Sequence, residues 1–174
     1  LAEPSAKLAK VMAVVEGCEA SLCVMSELHL PAGRSEAWMR AAMTTGKHLA
    51  WRLLLSAASP SEEATGVGIW YDGEVLEAMG EMAVDQVGRI VRQRFRVISD
   101  ASEFVLVAAY APPRRLVESA LEARRRRLFW RTLRQAVRAA GESSIVAGDL
   151  NAETQEALEG FGRLGAVTAN DDEL

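Results

Sequence analysis

Two strand-like stretches parted by a tight turn, then one long amphipathic helix, then a third short strand constrain this chain more than anything else in it. Val87–Ser99 alternates: Ile90, Arg92, Arg94 and Arg96 fall on one side, and Val91, Phe95 and Val97 on the other with Gln93 among them. That period of two suits a half-buried antiparallel strand. Glu103–Tyr110 is rich in valine, pairs with it and is closed by Ala111-Pro112-Pro113. A helix is expected from about Arg115 to Ala140, its apolar stripe carrying Phe129, Leu133, Val137 and Ala140, with Gly141 as its stop. Ser144–Ala147 then reads as a strand leading into Gly148-Asp149-Leu150-Asn151, with a short helix around Glu153–Leu158.

The first half follows the same grammar. Ser5–Glu16 has helical spacing in Leu8, Val11, Met12 and Val15. Ser21–Ser26 is a buried-type strand ending at Glu27, Ser35 caps a short helix through about Met43, and Leu49–Leu55 is a strand. The loop Ser56–Thr65 leads to a strand at Gly66–Tyr71 and a turn at Asp72-Gly73. Strand pairs interleaved with helices give an α/β chain with mixed or antiparallel sheets. At 174 residues it is one domain or part of one. No apolar run approaches the roughly 18–20 residues that span a bilayer, and the first ten residues lack the pattern of a signal peptide.

Charge is unevenly spread. Residues 1–88 hold 6 basic and 12 acidic groups, residues 89–138 hold 13 and 4, and residues 139–174 hold 1 and 8. A basic centre between acidic flanks suits a polyanion partner beside carboxylates that hold a divalent cation; an arginine-rich solvated helix explains it equally well. Cys18 and Cys23 lie five residues apart with no Cys/His cluster around them, which suits a reduced intracellular protein and excludes a zinc site.

Several polar residues close apolar strands: Glu27, Tyr110, Asp149 and Asn151. Two carboxylates, an amide and a phenol are oxygen donors, the preference of Mg2+ or Mn2+. Ordinary turn and capping polarity is the competing explanation. A phosphate-binding glycine loop, a dinucleotide fingerprint and a serine-nucleophile motif are all missing.

Four motifs in order resemble the endonuclease/exonuclease/phosphatase superfamily. Ile145–Ala152 (IVAGDLNA) is similar to its GD[FL]N signature, and Cys23–Leu30 (CVMSELHL) to the strand ending in its metal-binding glutamate. Gly66–Tyr71 (GVGIWY) is similar to its next glycine-started strand, and Phe104–Pro113 (FVLVAAYAPP) to the strand carrying its active-site tyrosine. The ELHL and YAPP forms resemble the endonuclease domains of non-LTR retrotransposons.

The resemblance implies a DNase I-like four-layer αββα sandwich with two mixed β-sheets. It implies Mg2+- or Mn2+-dependent phosphodiester hydrolysis on nucleic acid, DNA first, by a retroelement-type endonuclease. By the same carry-over Glu27, Asp149 and Asn151 hold the metal. Tyr110 lies at the scissile phosphate, Asp149 positions or deprotonates the attacking water, and Asn151 orients the phosphate and Asp149. A phosphatase or RNA exonuclease of the same fold, or an inactive binding module, are the alternatives. His29, two residues past Glu27, is given no catalytic role. A nuclear location accompanies the retroelement reading; oligomeric state is left open. The family's first strand with its asparagine, and its final segment with the catalytic histidine, have no counterpart in 1–174. The resemblance therefore implies an incomplete domain with little hydrolytic activity of its own and exposed sheet edges.

Overall fold

A computed structural model of the protein describes residues 4–28, 37, 39–41, 50–56, 66–113 and 119–152. The element order is α1 (Pro4–Gly17), β1 (Leu22–Met25), β2 (Trp51–Leu55), β3 (Gly68–Asp72), β4 (Leu76–Val84), β5 (Ile90–Val97), β6 (Glu103–Tyr110), α2 (Ala120–Ala140) and β7 (Ser144–Asp149). The strands form two sheets, β1-β3-β2 and β4-β5-β6-β7. The first is antiparallel throughout its described strands. The second is mixed, because β7 runs parallel to β6 after the α2 crossover while β4, β5 and β6 alternate in direction.

Four layers follow from where the apolar side chains go. Met12 and Val15 of α1 pack with Met25, Trp51, Leu53 and Trp70 on the outside of the first sheet. Ile69 and Tyr71, one residue out of phase with Trp70, face the other way and meet Val91, Phe95, Leu106, Ala108 and Tyr110 between the sheets. Val107, Ala109 and Ala111 point out of the second sheet, against Phe129, Trp130 and Leu133 of α2. The period-two alternation in β3 and β6 therefore assigns each residue to one of three cores.

The elements agree with the sequence patterning to within two residues at each end except at three places. β5 begins at Ile90, because Asp85 Oδ1 accepts from the backbone N–H groups of Arg89 and Ile90 and turns the chain just before it. β4 has no counterpart in the patterning. It lies at one end of the second sheet's strand order, is mostly exposed, and its register slips between Met79 and Ala83, which breaks the alternation that would reveal it. The long helix begins at Ala120 instead of Arg115, where Ser119 and Glu122 form a reciprocal capping box. Residues 37 and 39–41 are helical, within the short helix expected at 35–43. The helix expected at Glu153–Leu158 lies outside the described residues.

The two sheets are joined at one end by Ser56, which is 1 % exposed. Its Oγ donates to the Gly88 carbonyl (2.9 Å) and accepts from the Val67 N–H (2.9 Å). That tie brings the β4–β5 turn against the ends of β2 and β3, where the polar strand-end residues gather.

Candidate active site

Glu27 follows β1, and its neighbour Leu28 is what fixes it. Leu28 is buried in the outer core and its N–H donates to the Gly66 carbonyl (3.3 Å). A Cβ at Gly66 would meet Leu28 Cβ at 3.0 Å and one at Gly68 would meet Leu28 Cδ1 at 2.9 Å. The glycines of GVG thus make room for the leucine behind Glu27. Glu27 itself is exposed and has φ +54°, a left-handed conformation costly for a side chain of its size. Such strain concentrates where a side chain must be aimed.

Tyr110 ends β6 on the face between the sheets and is 2 % exposed. Its hydroxyl donates to Glu27 Oε1, a hydrogen bond between residues 83 positions apart. Arg89 secures the tyrosine from the other side. Its carbonyl accepts from the Tyr110 N–H (2.8 Å), and its guanidinium lies 5.1 Å from the ring centroid. Burial, then the Glu27 hydrogen bond and charge, push the phenol up to about 12; Asp149 adds to this and Arg89 opposes it. Tyr110 is therefore a neutral donor at any physiological pH.

Asp149 ends β7 directly opposite Tyr110 in the parallel register. Gly148 permits the close approach: it has φ +133°, and a Cβ there would stand 1.9 Å from the Ala109 carbonyl oxygen. Asp149 is exposed, while Ala147, two residues before it, packs in the inter-sheet core, so the carboxylate emerges on the Tyr110 side. Its Oδ1 accepts from the Asn151 N–H (2.9 Å), and its carbonyl accepts from the Ala111 N–H (2.8 Å). Asn151, also left-handed at φ +45°, donates through Nδ2 to the Ala111 carbonyl (2.8 Å).

The four residues singled out in the sequence thus stand at one end of the two sheets, linked in the order Glu27, Tyr110, Asp149, Asn151. The histidines His29 and His48 lie outside the described residues. Two arginines join the site that sequence patterning does not find. Arg89 is one. Arg126 is the other: 6 % exposed, it donates through Nη1 to the Pro112 carbonyl (2.6 Å) and, at 3.5 Å, to that of Asn151. Inside a run of four arginines nothing in composition distinguishes it. Only its helical phase with Phe129 and Leu133, three and seven residues on, marks it as inward-facing.

Among the described residues no group of three or more His, Cys, Asp or Glu side chains is placed to enclose a metal. Glu27 and Asp149 supply two carboxylates and Asn151 an amide oxygen. That set fits a hard cation such as Mg2+, which takes one or two carboxylates and completes its shell with water and phosphate oxygens.

No family model and no curated protein matches the chain. Solved structures do. An AP endonuclease from Leishmania major superposes with a TM-score of 0.62 at 16% identity, over 85% of this chain and 51% of its own. TDP2 of D. rerio, complexed with a single-strand DNA product, superposes at 0.61 and 15% identity, over 92% and 58%. A mannosyl-6-phosphatase from Bacteroides thetaiotaomicron superposes at 0.59 and 10% identity, over 88% and 60%. The fold is DNase I-like, and the chain spans a little over half the length of these structures.

Proposed function

We propose that this chain carries part of the active site of a divalent-metal-dependent phosphodiester hydrolase, acting on DNA as an endonuclease of the retrotransposon type. The observation that carries the reading is the Tyr110–Glu27 hydrogen bond beside Asp149. It places two carboxylates from different sheets at the two sides of one neutral phenol. A carboxylate held this way by a buried donor stays oriented.

In this reading Glu27, with Asp149 and the amide oxygen of Asn151, holds Mg2+ or Mn2+. When bound, the cation neutralises phosphoryl oxygens and assists the leaving oxygen. Tyr110 keeps Glu27 in place and lies at the scissile phosphate. Asp149, oriented by the Asn151 N–H, positions the attacking water or accepts its proton as the new P–O bond forms and the bond to the leaving oxygen breaks. Asn151, tied to Ala111 through Nδ2, directs its amide oxygen. The endonuclease branch is supported by the ELHL and YAPP motifs and by the surplus of arginine in 89–138.

The test is nicking of supercoiled plasmid in Mg2+ by the complete gene product that contains this chain. The expected result is Mg2+-dependent nicking that Asp149→Ala lowers about 1,000-fold or more. Nicking untouched by Asp149→Ala contradicts the site assignment. The phosphatase reading is favoured by the likeness to a sugar phosphatase; release of phosphate from mannose 6-phosphate without plasmid nicking would establish it instead.

A further inference from the structure

The arginines of α2 other than Arg125 and Arg126 form a pattern that the site does not use. At 100° per residue, Arg124, Arg127, Arg131, Arg134 and Arg138 fall within about 80° of arc, a stripe about 21 Å long. The buried side of the helix, Phe129, Trp130, Leu133 and Val137, is centred about 125° away, with Arg126 inside it. Arg124, Arg127, Arg131 and Arg138 are exposed, and among the described residues none of the four has a carboxylate partner. The one acidic residue of α2, Glu122, is held in the capping box at Ser119.

The direction of the stripe is fixed by the packing. The opposite flank of α2, with Thr132 and Ala136, lines a groove of about 280 Å³ against Ala83, Ile90 and Arg92. The arginines therefore lie on the β7 side. Arg126 bonds the Pro112 and Asn151 carbonyls near the start of the helix, so α2 begins at the site and runs away from it.

We infer that this stripe is a track for the phosphodiester backbone of nucleic acid, leading away from the candidate active site along the outside of the second sheet. Like charges spaced three and four apart repel one another and disfavour the bare helix. A row of phosphates relieves that repulsion, and guanidinium is the side chain best matched to phosphate oxygens. A narrow line of charge suits a strand more than a plane of lipid headgroups. An interfacial helix also needs its apolar face free, and that of α2 is packed on Val107 and Ala109. The inference deepens the phosphodiesterase reading by naming the surface along which the nucleic acid runs, and rests on it for the direction in which the strand leaves the site.

The experiment is binding of a short fluorescein-labelled DNA duplex by the full chain, followed by anisotropy over a salt series in EDTA and in an Asp149→Ala background. No metal chemistry occurs there, so a failure of the hydrolase reading leaves this measurement intact. The combined variant Arg124→Gln, Arg127→Gln, Arg131→Gln, Arg138→Gln is expected to weaken binding at least about tenfold. It should also lower the slope of log K against log salt by about 3–4, at roughly 0.9 per phosphate released. Arg92→Gln with Arg94→Gln, on the outer face of β5 away from the stripe, should change the slope by less than about one. Should the combined variant fail to fold by circular dichroism, Arg131→Gln and Arg138→Gln singly should each lower the slope by about one. The inference is overturned if the stripe variants keep the wild-type slope. It is overturned too if they lose binding to vesicles of about 30% phosphatidylserine while keeping their affinity for DNA.

Discussion

Tyr110 is the residue on which the candidate site turns, and its chemistry is open to direct reading because the chain has only two tyrosines. The other, Tyr71, is also pushed above its ordinary value by burial, against a smaller lowering by Arg52. A spectrophotometric titration of the native protein should therefore show no phenolate with a midpoint at 10; in Tyr71→Phe the remaining phenol should titrate near 12. Folding raises this pKa above its free value of 10.0, so the neutral phenol's contribution to stability is whole below pH 10 and is lost as pH climbs through about 12. A native phenolate midpoint at 10 or below would remove Glu27 from its side. Arg126 makes a second residue-scale prediction. Truncation by Arg126→Ala leaves the part-buried carbonyls of Pro112 and Asn151 without this donor, and should cost about 1–3 kcal/mol in urea unfolding. An effect below about 0.5 kcal/mol, the size typical of a surface substitution, would contradict that role. Glu27, Tyr110, Asp149 and Asn151 are legible in the sequence because each is a polar residue closing an apolar run. Arg89 and Arg126 are not, since their roles depend on carbonyls and a ring brought in from other elements.

Among the elements, β7 shows how closely backbone and site are bound together. The left-handed glycine at 148 lets β7 lie against Ala109, one residue before Tyr110 and Asp149 pair. Gly148→Ala should force the two strands apart and cost about 2–4 kcal/mol, measured by thermal or urea unfolding. A neutral result would mean that this pairing is not tight. α2 carries a milder prediction: Ser119→Ala removes the capping hydroxyl and should cost about 1 kcal/mol, with no effect on the site's chemistry. Element type is readable wherever one period dominates, as in β5, β6 and the Phe129–Leu133–Val137 stripe of α2. It fails at β4, where the slip beyond Met79 mixes two alternations and most side chains meet water.

For the whole molecule, periodicity reaches as far as the strands and helices, while the layering and the meeting of Glu27 with Tyr110 come only with the family resemblance. Apolar runs with short turns and one long helix give an α/β chain with mixed or antiparallel sheets; the two packed sheets with helices outside are what the family resemblance implies, and the structure has that arrangement. Periodicity does not say which strand ends meet. That depends on Leu28 seating behind Gly66 and Gly68, and on Ser56 tying the β4–β5 turn to the first sheet. We propose that these two sheets bring Glu27 and Asp149 together around a divalent cation. The most direct test is titration of the chain with Mn2+, followed by the electron paramagnetic resonance of the free ion. One specific site is expected, weakened about 10-fold or more by Tyr110→Phe and abolished by Glu27→Gln and by Asp149→Asn, with Glu81→Gln as the unaffected carboxylate control. Binding that survives both Glu27→Gln and Asp149→Asn would contradict it.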